Sequence, residues 1–318
     1  PSVLEMLPRL AWHYDEPFAD SSAIPTMYLS EVTRRSVKVA LTGDGGDELF
    51  AGYQRYMAAR WAAFWQRLPM WSRRLLAVVG RVGRRAPSRS FLRRVYRFTQ
   101  AFPLSVPERY LRWVGVCERP MRRELLLPDV VRELPEDAEA VLLQWAKRCG
   151  CPADAVTQAM CVDWHTYLPG DILCKVDIAS MAHGLECRSP FLDHHVAELA
   201  ALMPLRLKQS WRRGKKILIQ TFRELLPPEI QTRGKMGFGV PLADWFREAL
   251  RDWLRDVLLA SDSGLRNWFD TAAIRRLIDE HQSGQLDHAP RLWALVAFDA
   301  WYRTHVARRP VPVESSGG

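Results

Sequence analysis

The stretch that most constrains how this 318-residue chain can fold is VKVALTGDGGDELFAGY, Val37 to Tyr53. Val37-Lys38-Val39-Ala40-Leu41 is a short apolar run rich in β-branched residues and reads as a buried strand. Leu49, Tyr53, Tyr56 and Met57 then recur at helical spacing. The chain therefore goes strand, tight turn, helix, which is a building unit of a parallel α/β sheet. Little else in the chain reads as strand. One legible strand cannot make a parallel sheet alone, so the other strands are expected to lie outside this sequence.

The chemistry sits in the turn. The start of the helix falls at Gly45-Gly46-Asp47-Glu48, where unpaired amide groups favour an anion. The acids beside them would repel that anion unless a cation came with it. Phosphate carried with Mg²⁺ resolves the conflict: carboxylates hold the metal and glycine amides hold the oxygens. The plainer alternative stays open, since Asp-Gly-Gly-Asp is a good turn and acids are ordinary in a first helical turn. The stretch is neither a Walker A loop nor a Gly-x-Gly-x-x-Gly fingerprint.

Elsewhere the pattern is helical. Residues 1–12 place Val3, Leu4, Leu7 and Leu10 on one face, and a proline-punctuated loop leads to a helix starting near Pro25. From Arg60 to Leu127 helices are broken at several prolines, and 128–152 form an acidic, proline-rich junction around one helix. Helices fill the rest, before a polar tail. Residues 60–123 hold 16 Arg and 2 Glu, a balance of 16 − 2 = +14, within a chain of net charge +9. Aromatic residues interleave with these arginines, so the segment could bind RNA or a membrane surface. Solvated faces of amphipathic helices explain it more simply. No apolar stretch is long enough to span a bilayer, and no signal peptide is visible. The six cysteines show no CxxC pairing and are expected to be reduced, mostly buried thiols in a cytoplasmic protein. Zinc is not expected, because Cys161 and His165 lack a second ligand pair.

Two further motifs carry chemistry. In YLPGDILCKVDIASMAHGLECRSPFLD, Tyr167–Asp193, a helix begins at Pro169-Gly170-Asp171 and places Asp171 and Lys175 on one face. Asp177 adds an acid, a small-residue turn is expected at Ala179–Ala182, and Glu186 and Arg188 point the same way from an extended segment. Ion pairs that brace a site would account for all of these. In RGKMGFGVPLADWF, Arg233–Phe246, a glycine-rich loop carries Arg233 and Lys235 and ends at Pro241, which opens an amphipathic helix through Trp253. A mobile lysine of this kind can neutralise a leaving pyrophosphate.

Taken in this order, the motifs resemble the synthetase domain of bacterial glutamine-hydrolysing asparagine synthetases. The matching pieces are Asp15–Ser30, Leu41–Tyr56, Thr166–Asp193 and Arg233–Phe246, with residues 280–305 similar to the closing helices. The resemblance implies an adenine-nucleotide α-hydrolase-like α/β fold of ATP-pyrophosphatase type, although this chain itself is predominantly helical with few strands. It implies that aspartate attacks the α-phosphate of Mg-ATP, giving β-aspartyl-AMP and pyrophosphate, and that ammonia from glutamine then displaces AMP. By the same resemblance, Thr42, Gly43, Gly45, Gly46 and Tyr53 bind ATP, and Asp47 and Glu48 hold Mg²⁺-pyrophosphate. Asp44 serves adenylate formation, at a position where the family often has Glu, and Lys235 steadies the α-phosphate. Asp171, Lys175, Asp177, Glu186, Arg188 and Arg233 support the site.

The family's upstream Ser-Gly-Gly-x-Asp-Ser loop and glutaminase domain are not in this sequence, which begins at Pro1. The expectation is therefore a fragment, unable to make asparagine alone, whose glutaminase lies on the same polypeptide. Within it, 1–59 would be the end of the nucleotide-binding core and 60–152 a basic helical insertion. Residues 153–312 would form the helical remainder and 313–318 a disordered tail. No nucleic-acid partner is expected, and a homodimer is possible. Two rival readings remain: a relative amidating another carboxylate, and a non-catalytic RNA- or membrane-binding module using residues 60–123.

Overall fold

The computed structural model describes residues 3–67, 69, 71, 78, 96, 99, 104–134, 140–149, 154–232 and 237–312. About half of the basic segment, with nine of its 16 arginines, lies outside these residues, as do Arg233, Lys235 and the tail. The first helices are α1 (Val3–Tyr14) and α2 (Ala23–Arg34), followed by β1 (Val39–Leu41), α3 (Gly46–Leu49) and α4 (Gln54–Gln66). Next come α5 (Val106–Val114), α6 (Arg119–Leu125), α7 (Pro128–Glu133), α8 (Ala140–Arg148) and α9 (Ala155–His165). A π-helical turn (Leu168–Leu173) runs into α10 (Cys174–Met181), and β2 (Glu186–Arg188) precedes α11 (His194–Leu202). The remainder includes α12 (Leu242–Arg247), α13 (Arg251–Leu259), α14 (Thr271–Gln282) and α15 (Ala289–Trp301).

The helix starts follow side-chain chemistry. Asp154, Asp193 and Asp270 accept backbone N–H bonds at the heads of α9, α11 and α14. Ser105 and Glu108 form a reciprocal capping box on α5. The largest core joins α1 and α2 to α12–α15 around Leu7, Met27, Phe246, Leu254, Ile278, Leu292 and Trp293. A second core packs α4, α5, α8 and α9 around Tyr56, Tyr110, Val156 and Val162.

The two strands pair in parallel, Val39 with Glu186, Ala40 with Cys187 and Leu41 with Arg188. The ladder runs one bond further, from Thr42 N–H to the Arg188 carbonyl at 2.8 Å. This pairing unites the first two sequence motifs in one two-stranded sheet. The strand expected to be buried is instead exposed, Val39 at 41% and Leu41 at 75%. Among the described residues β1 is paired along one edge only, with β2.

Several local expectations also change. The helix expected through Leu49 and Tyr56 breaks at residues 50–53, where Ala51 takes a positive φ of 52° and Gly52 N–H closes back on the Asp47 carbonyl. The amphipathic run opened by Pro241 likewise splits, into α12 and α13. Ala179, Ser180 and Met181 continue α10, since Ala179 and Ser180 are buried against neighbouring elements, and the turn comes after them. The junction 128–152 contains two helices, α7 and α8. The cysteines differ most. Cys149 and Cys161 form a disulfide, and Cys117, Cys174 and Cys187 are only half-buried. The bridge forms because α8 and α9 pack side by side, bringing thiols twelve positions apart to a Cα separation of 5.9 Å. No helix among the described residues is long and apolar enough to cross a membrane.

Candidate active site

A cleft of about 720 Å³ opens at the carboxyl ends of β1 and β2, the place where open α/β sheets bind ligands. Thr42, Gly43, Asp44, Gly45, Asp47, Glu48 and Tyr53 line it from the first motif. Gly237, Phe238 and Gly239 line it from the third, so the loop expected to present Lys235 borders the cleft; Lys235 and Arg233 themselves lie outside the described residues. Asp20, Tyr167 and Lys175 complete one wall.

The glycine turn is fixed from behind by the second motif. Gly45 has φ 80°, and a Cβ there would stand 2.4 Å from Leu192 of the Pro190-Phe191-Leu192 wedge. Both the left-handed conformation and the contact demand glycine. Ser189 Oγ donates to the Asp44 carbonyl at 2.5 Å, a second tie between the motifs. Gly46 is buried behind the turn rather than lining the cleft. The helix it starts is a single turn, far shorter than the sequence pattern implied, so its dipole adds little at this end of the cleft.

Asp47 and Glu48 are held differently. Lys215 Nζ stands 3.1 Å from Asp47 Oδ1. A Cβ on Gly52 would meet that same oxygen at 1.9 Å, which explains the small residue there. Glu48 is buried, and Tyr53 Oη donates to its Oε1 at 2.6 Å. Burial pushes the Glu48 carboxyl above its ordinary range, despite the phenol's bond. Tyr53 is itself clamped: the Arg55 guanidinium stacks 4.0 Å from its ring and 4.4 Å from that of Tyr167. Arg55 in turn donates to Asp163 at 2.9 Å, and the Tyr56 and Tyr110 hydroxyls donate to the same fully buried carboxylate. Asp163 thus anchors the tyrosine wall of the cleft from below.

Also lining the cleft, Lys175 Nζ donates to Asp20 at 2.6 Å and lies 3.8 Å from Asp171. Asp20 also accepts from the Ser22 amide and hydroxyl, at 2.9 and 2.6 Å. Burial and then the Asp20 charge push Asp171 up to about 7. Burial opposes ionisation of Asp20 too, but the Lys175 ammonium and the Ser22 bonds hold it below the usual range. Asp171 does not reach the cleft lining, and Asp177 lines an adjoining recess with Thr42, Asp44 and Cys187. Glu186 and Arg188 pair with each other at 2.7 Å on an exposed face.

Asp20, Lys215, Arg55 and Asp163 were not singled out from the sequence. Lys215 follows Gly214 just before a helix, a lysine-presenting turn that could have been flagged. Asp20 precedes two serines in a loop, a weaker signal of carboxylate-fixing geometry. Asp163 sits mid-helix, with nothing local to mark it.

For magnesium, the donor set fits: hard carboxylate oxygens from Asp47 and Glu48 stand beside glycine amides, and Mg²⁺ is ordinarily held by one or two carboxylates with substrate phosphates.

A family model described as asparagine synthase matches residues 2–303. Asparagine synthetase [glutamine-hydrolyzing] 1 of Bacillus subtilis is 29% identical over 98% of this chain and 47% of its own length. A putative asparagine synthetase [glutamine-hydrolyzing] of Mycobacterium bovis is 33% identical over 96% of this chain and 45% of its own. A more distant relative, Amidase chry2 of Gibberella zeae, is 23% identical over 74% of this chain and 37% of its own. The chain spans about half the length of the first two. The mostly helical chain, with its parallel strand pair and acidic glycine turn, belongs to the asparagine synthase family and has that family's adenine-nucleotide α-hydrolase-like fold.

Proposed function

We propose that this chain is the synthetase portion of a longer glutamine-hydrolysing asparagine synthetase and that its cleft adenylates aspartate with Mg-ATP. The observation that carries the reading is the cleft's charge. Asp20, Asp44, Asp47 and Glu48 line it with Lys175 as the one lysine or arginine among its described lining residues, so a polyphosphate enters only with a metal. Bound Mg²⁺ supplies that charge and polarises the phosphate oxygens.

Asp47 and Glu48 hold the metal on the departing pyrophosphate, with Tyr53 orienting Glu48 and Lys215 orienting Asp47. Gly45 gives its amide to a phosphate oxygen and Thr42 and Gly43 contact the nucleotide, while Gly46, whose amide bonds the Gly43 carbonyl at 3.2 Å, shapes the turn from behind. Asp44 lies where the aspartyl-adenylate forms. Lys235 stabilises charge on the α-phosphate and the leaving pyrophosphate, and Arg233 supports the site. Asp171, Lys175, Asp177, Glu186 and Arg188 brace the walls. The β-carboxylate of aspartate attacks the α-phosphorus, the bond to the pyrophosphate oxygen breaks, and ammonia then attacks the acyl carbon and expels AMP. The ammonia comes from a glutaminase domain on the same, cytoplasmic polypeptide.

Aspartate-dependent exchange of labelled pyrophosphate into ATP tests this. The full-length enzyme is expected to exchange and this chain alone to be silent. Exchange that needs no aspartate, or none from the full-length protein, overturns the reading. One observation favours a second acceptor: the similarity extends to a relative named an amidase. Amide formation with larger carboxylic acids in preference to aspartate would establish it.

A further inference from the structure

Away from the cleft, one group of three cysteine and histidine side chains among the described residues stands close enough to share a metal ion. The ligand atoms of Cys149, Cys161 and His165 all lie within 4.8 Å of one another. Cys161 and His165 are at i and i+4 on α9, the spacing that places two ligands on one helix face. Cys149 comes from the end of α8. None of the three lines the cleft.

We propose that the reduced form of this trio is a zinc site and that the Cys149–Cys161 disulfide is its oxidised, metal-free state. In tetrahedral zinc, bonds of about 2.3 Å to sulfur and about 2.05 Å to nitrogen set ligand separations of about 3.8 Å between sulfurs and about 3.5 Å between sulfur and nitrogen. His165 Nδ1 already stands 3.8 Å from Cys161 Sγ. Once the S–S bond is cut, van der Waals contact parts the sulfurs to about 3.5–4 Å, near the zinc edge. The imidazole is exposed at the rim, and its ring stacks on Trp145 at 4.0 Å, which fixes its plane. Its Nδ1 is 2.8 Å from the Cys161 carbonyl and exchanges that contact for the metal. Two thiolates, one imidazole and one water complete four-coordination. A disulfide alone needs only the two cysteines; the histidine is what points to a metal.

The chemistry balances. A dithiol reductant gives two electrons to the S–S bond and becomes a cyclic disulfide, leaving two thiols. Each thiol then loses its proton as its sulfur lone pair binds Zn²⁺, whose oxidation state does not change. Zinc or disulfide, the link clips α8 to α9 close to Asp163.

Cobalt titration tests the proposal. The full chain is reduced with a dithiol, desalted under nitrogen and titrated with Co²⁺. One equivalent is expected to give the visible bands of a tetrahedral site and a near-ultraviolet thiolate charge-transfer band, both bleached by Zn²⁺. Air-oxidised protein should give neither. Cys161→Ser and His165→Ala each remove a coordinating atom and should weaken binding by at least ~100-fold, the top of the range that loss of an outer-shell partner costs. No tetrahedral spectrum from reduced protein, or an unchanged one from the Cys149→Ser/Cys161→Ser double variant, overturns the proposal. Should the variants fail to fold, alkylation of the unaltered chain decides. Zinc is expected to slow modification of Cys149 and Cys161 about 10-fold or more, with no such slowing at Cys117, Cys174 and Cys187. Equal rates with and without zinc overturn it.

Discussion

At the scale of single residues, two glycines near the acidic turn make different demands. A Cβ on Gly52 would strike the Asp47 carboxylate and the Lys215 side chain, both of which can swing away. A Cβ on Gly214 would strike the Ala51 carbonyl at 1.9 Å, and backbone cannot yield so easily. Gly52→Ala is therefore expected to cost only about 1 kcal/mol of stability. In the full-length enzyme it should lower pyrophosphate exchange about 10²-fold by displacing Asp47. Gly214→Ala should cost the upper part of the ~1–3 kcal/mol overpacking range. Urea unfolding beside exchange kinetics separates the two, and equal stability losses would show that the contacts do not differ. Asp171 makes a pH prediction. Its carboxyl is raised to about 7, against about 3.9 unfolded, so the folded state binds the extra proton and its stability falls as pH rises between those values. Above 7 the effect is constant. Asp171→Asn keeps a donor for Asp20 and lacks the titration, so it should be more stable than the parent at pH 8 by on the order of 1–2 kcal/mol, with little difference at pH 4. Denaturant midpoints across that range give the answer. The legibility of these residues was uneven. Asp44, Asp47 and Glu48 were legible as candidates because they cluster around the glycines of one turn, although ordinary turn and capping chemistry accounts for such acids too; all three line the cleft. Asp20 reaches the same cleft, and Lys215 reaches the Asp47 carboxylate, from loops whose approach depends on tertiary packing.

At the scale of elements, α9 is the keel beneath the tyrosine wall. Its Asp163 accepts from Arg55, Tyr56 and Tyr110 and is fully buried. Burial, and then the Asp163 charge, push both phenols well above their ordinary range, so they stay protonated donors. Asp163→Asn leaves the Arg55 guanidinium mostly buried without its counter-charge and should cost about 3–5 kcal/mol. It should also loosen the Arg55 stack on Tyr53, raising the KM for Mg-ATP in the full-length enzyme more than a surface variant of equal stability would. A loss under 1 kcal/mol in urea would mean that solvent reaches Arg55. The helical periodicity of α1 and of α15 was readable because their apolar faces meet one core each. The break after α3 was not, since it depends on Phe50 and Ala51 meeting the Gly214–Lys215 loop, whose Lys215 amide bonds the Phe50 carbonyl at 2.8 Å. Periodicity records which residues are buried and not where the chain bends, and both halves of the broken helix bury theirs, Leu49 in one cluster and Tyr56 in another. The α8–α9 bridge escaped for a related reason: a thiol pair twelve positions apart has no local pattern until two helices pack side by side.

At the scale of the whole molecule, the exposed strand is the feature that the described chain leaves unexplained by itself. β1 presents Val39 and Leu41 to solvent while β2 occupies one of its edges. Beside it, α2 exposes Tyr28, Leu29 and Val32. Parallel strands are normally covered on both faces, which is why they read as apolar runs, and the run from Val37 to Leu41 has that composition. The described residues do not give that run the cover its composition led one to expect. On the proposed reading, the upstream half of the enzyme adds parallel strands to the free edge of β1 and covers the α2 face. Amide hydrogen exchange compares the two forms directly. Amides of residues 37–41 that are not bonded to β2 should exchange at least ~10²-fold more slowly in the full-length enzyme than in this chain, since a new ladder removes them from water and ties their opening to a larger cooperative unit. Residues 274–278 of α14, already buried in the main core, should change little. Exchange of the β1 amides at the same rate in both forms would mean that the upstream half docks elsewhere, and the cleft would then have to bind its nucleotide without a completed sheet.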